Sequence, residues 1–503
     1  MGILSLVVLA PLAAAIILLV IPDAARALVR IVSILGATVS LVGSVVVALR
    51  YDTALGGAQM AENIVLIDGI GVNWSLAVDG WGVSLLLLTG IMLFAGCWAS
   101  WNLKDRSKDF YILLLVLVTG VFGVFVSLDL LVFFLFYEIA VLPMYLLIGI
   151  WGTTKKVSSE GPFKRAMDAF VVGGKEYAAM KLTLMLLAGS ALILAGILAM
   201  VVHADSWNLM DIEASSIPRS TQLWAFPALW LGFGSLAGVF PFHTWSPDGH
   251  AAAPTAVSMV HAGVLMKLGA FGVIRVGMVC LPEGAEFWAY TVGVVAVINI
   301  VWGALAAMGQ TDLKYVVAYS SVSHMGIVML GAATLGVEGI NGAVYQMFAH
   351  GVMTGLLFAL VGVVYERAHS REVFSMGGFA SRMPAVAVFF TLACLSSLGM
   401  PGTAGFAAEL MVFVGAWKTV TWWAIPAVIG AVVTAFYVLR VSKAIFWGPH
   451  DASRWPDLRP LQGTEWVAPV ILAGCIIVFG FAPDLLMQYI DVSTVEFIAG
   501  VAR

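Results

Sequence analysis

Apolar segments long enough to cross a lipid bilayer recur along the whole chain, near residues 2–21, 27–48, 81–101, 110–128, 130–151, 178–202, 222–242, 254–278, 287–308, 314–335, 339–364, 384–417, 422–446 and 465–488. A hydrocarbon layer ~30 Å thick needs about 20 apolar residues at ~1.5 Å of rise each, and inside it a helix satisfies its own backbone groups. About 14 such segments leave one fold class, an all-α polytopic membrane protein. The composition excludes an ordinary soluble domain, with 61% hydrophobic and 11% charged residues. A net charge of -4 and the lack of basic patches with interleaved aromatics argue against nucleic acid as a partner. The N-terminus, MGILSLVVLAPLAAAIILLVIP, lacks a basic leader and a convincing cleavage site, so it reads as a first spanning helix.

The span at 384–417 is too long for one straight crossing, and SSLGMPGTAGFAAEL inside it supplies the Gly and Pro that break it. Helix 7 carries a related string, SLAGVFPFHTW, five helices earlier. Matching Gly/Pro breaks in two halves point to inverted repeats with sites at the bilayer midplane. The longest polar segments are 50–80, expected to form a small extramembrane strand or hairpin, and 152–177. Neither is large enough for a catalytic domain.

Lys and Arg distribute unevenly among the connections. Those after odd-numbered helices hold Arg26, Arg30, Lys104, Arg106, Lys108, Lys155, Lys156, Lys164, Arg165, Lys175, Lys314, Arg367, Arg371, Arg382, Arg440, Lys443, Arg454 and Arg459, and those after even-numbered helices only Arg50, Arg219, Arg275 and Lys418. The positive-inside rule places the odd connections in the cytoplasm and both termini outside.

The chemistry must come from the ionisable residues left inside the spans: Glu138, Lys181, His243, His261, Lys267, His324, His350 and Glu409. Glu138 lies eight residues into LLVFFLFYEIAVLPMYLLIGIW. That puts it ~12 Å deep, where an ionised acid costs about 2.5–3.5 kcal/mol even on generous scales. Singly, bland readings are open: Lys181 snorkels, His243 bonds a carbonyl of a broken helix, a lone histidine is structural. As a set they are what a proton relay at membrane depth requires. Lys314 stands at the cytoplasmic start of helix 10 and is either on the polar axis or structural.

The strings FYEIAVLPMYLLIGIWG, FPFHTWSPDGHAAAPTAVSMVHAGVLMKLGAFGVIR, QTDLKYVVAYSSVSHMGIVMLG, GAVYQMFAHG and GMPGTAGFAAELMVFVGAW, in this order, resemble the subunit M (chain 4) family of bacterial respiratory complex I, the proton-pumping NADH:quinone oxidoreductase. The resemblance covers nearly the whole chain. It implies N-terminal helices 1–3 over residues 1–109, two inverted antiporter-like repeats at 110–280 (helices 4–8) and 281–448 (helices 9–13) with discontinuous helices 7 and 12, and a C-terminal loop and helix 14 over 449–503. It further implies that Glu138, Lys267 and Glu409 match the family's helix 5, helix 8 and helix 12 residues of proton translocation, with His324 and His350 on the central hydrophilic axis. One departure stands out: the helix 7 lysine that pairs with the helix 5 glutamate in the family is Leu236 here, and His261 on helix 8 is the residue expected to replace that cation.

There is no GxGxxG after a strand, no P-loop, no HExxH, and Cys97, Cys280, Cys394 and Cys475 stand far apart. No metal or cofactor is therefore expected on this chain; flavin, iron–sulfur clusters and quinone belong to partner subunits. The expected partners are the other membrane-arm subunits, including neighbouring antiporter-like ones, membrane lipids and protons. The related transporter component of a multisubunit cation/proton antiporter is the competing reading, and a non-transporting scaffold a third that the number of buried charges disfavours.

Overall fold

A computed structural model describes residues 2–154 and 174–501. Spanning helices run in chain order as α1 (Ile3–Val20), α2 (Arg26–Arg50), α3 (Gly80–Ala99), α4 (Ser107–Val126), α5 (Leu130–Trp151), α6 (Lys175–Ala204), α7 (Arg219–Ala252), α8 (Thr255–Met278), α9 (Pro282–Gly309), α10 (Leu313–Ala333) and α11 (Val337–Ala368). The long apolar stretch at 384–417 is divided into α12a (Pro384–Ser397) and α12b (Ala404–Thr419), each too short to cross alone. After them come α13 (Thr421–Phe446) and α14 (Gly463–Phe481). Among the described residues 13 helices are long and apolar enough to span, and the split pair supplies the remaining crossing.

Both breaks have local causes. α7 divides into α7a (Arg219–Ala237) and α7b (Trp245–Ala252). Gly238, at φ +76°, takes the left-handed conformation that ends α7a. The amide of Val239 then closes back onto Gly234 O at 2.9 Å, and Pro241 cannot resume the helix. In α12 the linker residues Gly399 and Gly402 sit at φ +70° and +89°, on either side of Pro401.

The polar segment after α2 folds as expected into an antiparallel hairpin, β1 (Gln59–Ile67) with β2 (Val72–Val78). Glu62 ties it to the start of α1, accepting from the amides of Gly2 at 2.8 Å and Leu4 at 2.9 Å and from Ser5 Oγ at 2.6 Å. A terminal helix that the sequence reading left within a loop-and-helix tail, α15 (Asp484–Val501), packs on α3 and α11. Its Ser493 accepts the amide of Gly80 at 2.8 Å, and Glu496 that of Gly57 at 2.9 Å. The N-terminal end, the hairpin and α15 therefore share one end of the bundle. Lys155, Lys156, Lys164 and Arg165, counted in the charge bias, lie outside the described residues.

α8, α10 and α11 form the centre, almost wholly buried, while α2, α6 and α13 leave long apolar faces exposed.

Candidate functional site

The buried helices carry most of the ionisable groups. Lys267 of α8 is fully buried, and α8 winds as π-helix on both sides of it, at His261–Leu265 and Val273–Met278. Such turns interrupt the regular backbone ladder and are frequent at functional sites. The Lys267 amine donates to Ala262 O, one π-turn back. It also lies 2.6 Å from His350 Nδ1 of α11.

From His350 the polar string continues. Its ring centroid is 5.2 Å from that of His324 on α10. His324 Nδ1 is 3.5 Å from Glu409 Oε1 on α12b, and its Nε2 is 3.0 Å from Ser397 Oγ at the end of α12a. Gln346 Nε2 approaches the same ring at 3.4 Å. Lys267, His350, His324 and Glu409 are thus brought together, none more than 5% exposed. The break in α12 makes room for the last member: a Cβ on Gly399 would stand 2.6 Å from Glu409 Oε2.

His261 occupies the other side of Lys267 on α8. It is stacked on Trp245 at 5.2 Å and faces His250 at 4.0 Å between ring centroids. His250, in α7b, is fully buried and was not among the residues singled out from the sequence. The segment DGHAAAP between two prolines reads as the end of a helix entering a loop. Instead α7 resumes after the break at Gly238 as a short buried helix.

Glu138 stands apart from this string. It is half-buried on the flank of α5, its Oε1 has no hydrogen-bond partner, and the side chain beside it is Ser190 of α6. Among the described residues no cation pairs with it, and His261 packs with His250 and Trp245 instead. Leu236 is a fully buried core residue.

The remaining residues have local partners. Lys181 pairs with Asp248 at 2.7 Å and donates to Thr244 O at 2.9 Å, and Tyr315 donates to the other oxygen of Asp248 at 2.9 Å. His243 Nε2 accepts from Trp302 Nε1 at 3.1 Å, and its Nδ1 donates to no broken-helix carbonyl among the described residues. Lys314 donates to Ala253 O at 2.7 Å, Arg371 to Ala251 O at 2.7 Å, and the amide of Thr153 to Ala252 O at 2.8 Å. These three donors satisfy the carbonyls left open where α7b ends, and the two cations complement its dipole. Among the described residues no three His, Cys, Asp or Glu side chains converge as a metal site would need.

Residues 127–434 match the family model described as NADH:quinone oxidoreductase/Mrp antiporter, TM. The chain is 38% identical over 468 residues to NAD(P)H-quinone oxidoreductase chain 4 1 of Synechococcus sp. (strain JA-2-3B'a(2-13)), covering 90% of this chain and 84% of that one. Its fold superposes on a chain of respiratory complex I from Thermus thermophilus with bound NADH at a TM-score of 0.88, with 27% identity over 99% of both chains. It also superposes on a chain of the Mrp complex from Dietzia sp. DQ12-45-1b at 0.84, with 19% identity over 100% of this chain and 99% of that one, a likeness of fold alone. By sequence and by fold, the chain belongs to the NADH:quinone oxidoreductase/Mrp antiporter transmembrane family.

Proposed function

We propose that this chain is a proton-translocating membrane-arm subunit of an NADH:quinone oxidoreductase, driven by redox chemistry on partner subunits and carrying no redox site of its own. The observation that carries the proposal is the buried string Lys267–His350–His324–Glu409, which crosses four helices through contacts of 2.6, 5.2 and 3.5 Å. Fixed structural charges at this depth are expensive, whereas groups that exchange one proton are not required to hold a net charge. Lys267 passes a proton to His350 Nδ1. His350 then releases one from Nε2, which has no other partner, toward His324, and Glu409 receives it at the broken helix. Glu138, half-buried on the flank, takes the part of the acid that a neighbouring subunit covers and influences.

In this reading α4–α8 and α9–α13 are the two inverted repeats, with their breaks in α7 and α12. The chain lies in a bacterial cytoplasmic membrane with both ends on the periplasmic side, among other membrane-arm subunits that bring the flavin, iron–sulfur clusters and quinone. A cation/proton antiporter component is the second reading, favoured by the matched family model, whose description also names the Mrp antiporter. Purifying the tagged chain from its native membrane in mild detergent separates the two. Quinone-reductase subunits should come with it; recovery of antiporter subunits alone would overturn the assignment.

A further inference from the structure

Four ring nitrogens, both of His250 and both of His261, are buried with no hydrogen-bond partner among the described residues. Leaving such a group unsatisfied costs about 1–3 kcal/mol, so two histidines kept only for packing are a poor choice where Leu or Phe would fill the space. The two rings lie in the middle of a four-ring stack, Trp245 on His261 at 5.2 Å, His261 on His250 at 4.0 Å, and His250 on Phe358 at 5.4 Å. Nothing pins either imidazole in its plane. A half-turn about Cβ–Cγ, a soft torsion, restores the stack while carrying a ring nitrogen from one edge to the other.

Two residues before His250 on the same short helix, Asp248 lines a small cavity with Thr153, Tyr177, Tyr315 and Arg371, of about 10 Å³. That is room for roughly one water. The cavity lies where α5 ends and α6 begins, at the cation-rich end of the bundle. Lys181 and Tyr315 hold the Asp248 carboxylate there. On the inner side, His261 shares α8 with Lys267, six residues on.

We propose that His250 is the proton carrier that joins the buried axis to the cytoplasmic surface, by way of Asp248 outside it and His261 within. A proton arriving at the Asp248 cavity binds one nitrogen of His250, which gives up the proton on its other nitrogen to His261. His261 does the same toward Lys267, and each ring ends with the single proton it began with. The inference rests on the translocation reading above.

The test uses the whole complex reconstituted in liposomes, with proton translocation measured against electron transfer. His250→Gln keeps size and polarity but cannot carry a net proton; we expect normal assembly on native gels and a fall in proton translocation of about tenfold, at or below the usual effect of losing a positioned proton-transfer group. His250→Gln pumping like the parent, while Lys267→Ala stalls, would overturn the role of His250 and leave the translocation reading standing. Lys267→Ala pumping like the parent would overturn both. Should His250→Gln fail to assemble, Asp248→Asn and Asp248→Glu decide: slow pumping in the first with recovery in the second supports the route, and parental pumping in both refutes it.

Discussion

Lys267 Nζ lies 2.6 Å from His350 Nδ1, with both side chains buried and, among the described residues, no carboxylate paired to either. Two cations at that distance in a medium of low dielectric would repel strongly. The contact lies between α8 and α11, and Nε2 of His350 is buried without a hydrogen-bond partner among the described residues. In the function proposed above, this contact is a junction in the path.

Glu138→Gln should leave assembly intact and sharply reduce coupled proton translocation. The substitution keeps shape and hydrogen bonding beside Ser190 while removing the exchangeable acid. Parental proton-to-electron ratios in liposomes holding the variant complex would contradict this.

Glu409→Gln should slow proton movement through the second half, because an amide at 3.5 Å from His324 cannot take up and release a proton. Glu409→Asp should retain part of the rate, since the acid survives at shorter reach. Gly399→Ala is expected to resemble Glu409→Gln: its Cβ would stand 2.6 Å from the carboxylate and its φ of +70° disfavours any side chain. Initial pumping rates of the three variants check the order.

Away from the axis, Arg275 Nε lies 3.2 Å from Asp79 Oδ2, with side chains only 14% and 10% exposed. Asp79 also caps α3, accepting the Gly82 amide at 2.7 Å. Arg275→Leu strands that carboxylate and should cost about 3–5 kcal/mol, more than Asp79→Asn, which keeps the cap acceptor. Cys97, Cys280 and Cys394 are buried, so their reaction with a thiol-sensitive dye during heating reports the unfolding temperature.

The Glu62 tie to α1 predicts a pH dependence. Burial pushes its carboxyl up, but the Ser5 hydroxyl and the amides of Gly2, Ser5 and Leu4 outweigh it and hold the group below the usual carboxylate range. Its contribution is fully present above the ordinary glutamate value and is lost as pH falls through the lowered one. Protection of the Leu4 and Ser5 amides, taken as exchange relative to the intrinsic rate at each pH, should fall on acidification and be low at all pH in Glu62→Ala. Protection in the parent that stays constant across the acid range would contradict the tie.

Residue types at membrane depth made much of the axis legible in the sequence. Lys267, His324, His350 and Glu409 stand out because hydrocarbon tolerates few such groups, and Gly399, Pro401 and Gly402 mark the break that admits Glu409. His250 stayed hidden because a short polar helix has the composition of a loop, and only the resumption of α7 after the break at Gly238 reveals its burial. Lys181 looked like a snorkelling cation, and its pairing with Asp248 across a break in another helix has no local signal. α15 escaped because its apolar face is narrower than a spanning segment and its burial depends on α3 and α11.

The central claim is that Lys267 carries a proton and does not merely supply charge. Lys267→Arg keeps the cation and a similar reach, but a guanidinium with a pKa above ~12 cannot release its proton. Proton translocation per electron, measured in liposomes containing the fully assembled Lys267→Arg complex, should fall close to that of Lys267→Ala. A ratio equal to the parent's would show that a fixed charge suffices at this position and would contradict the account.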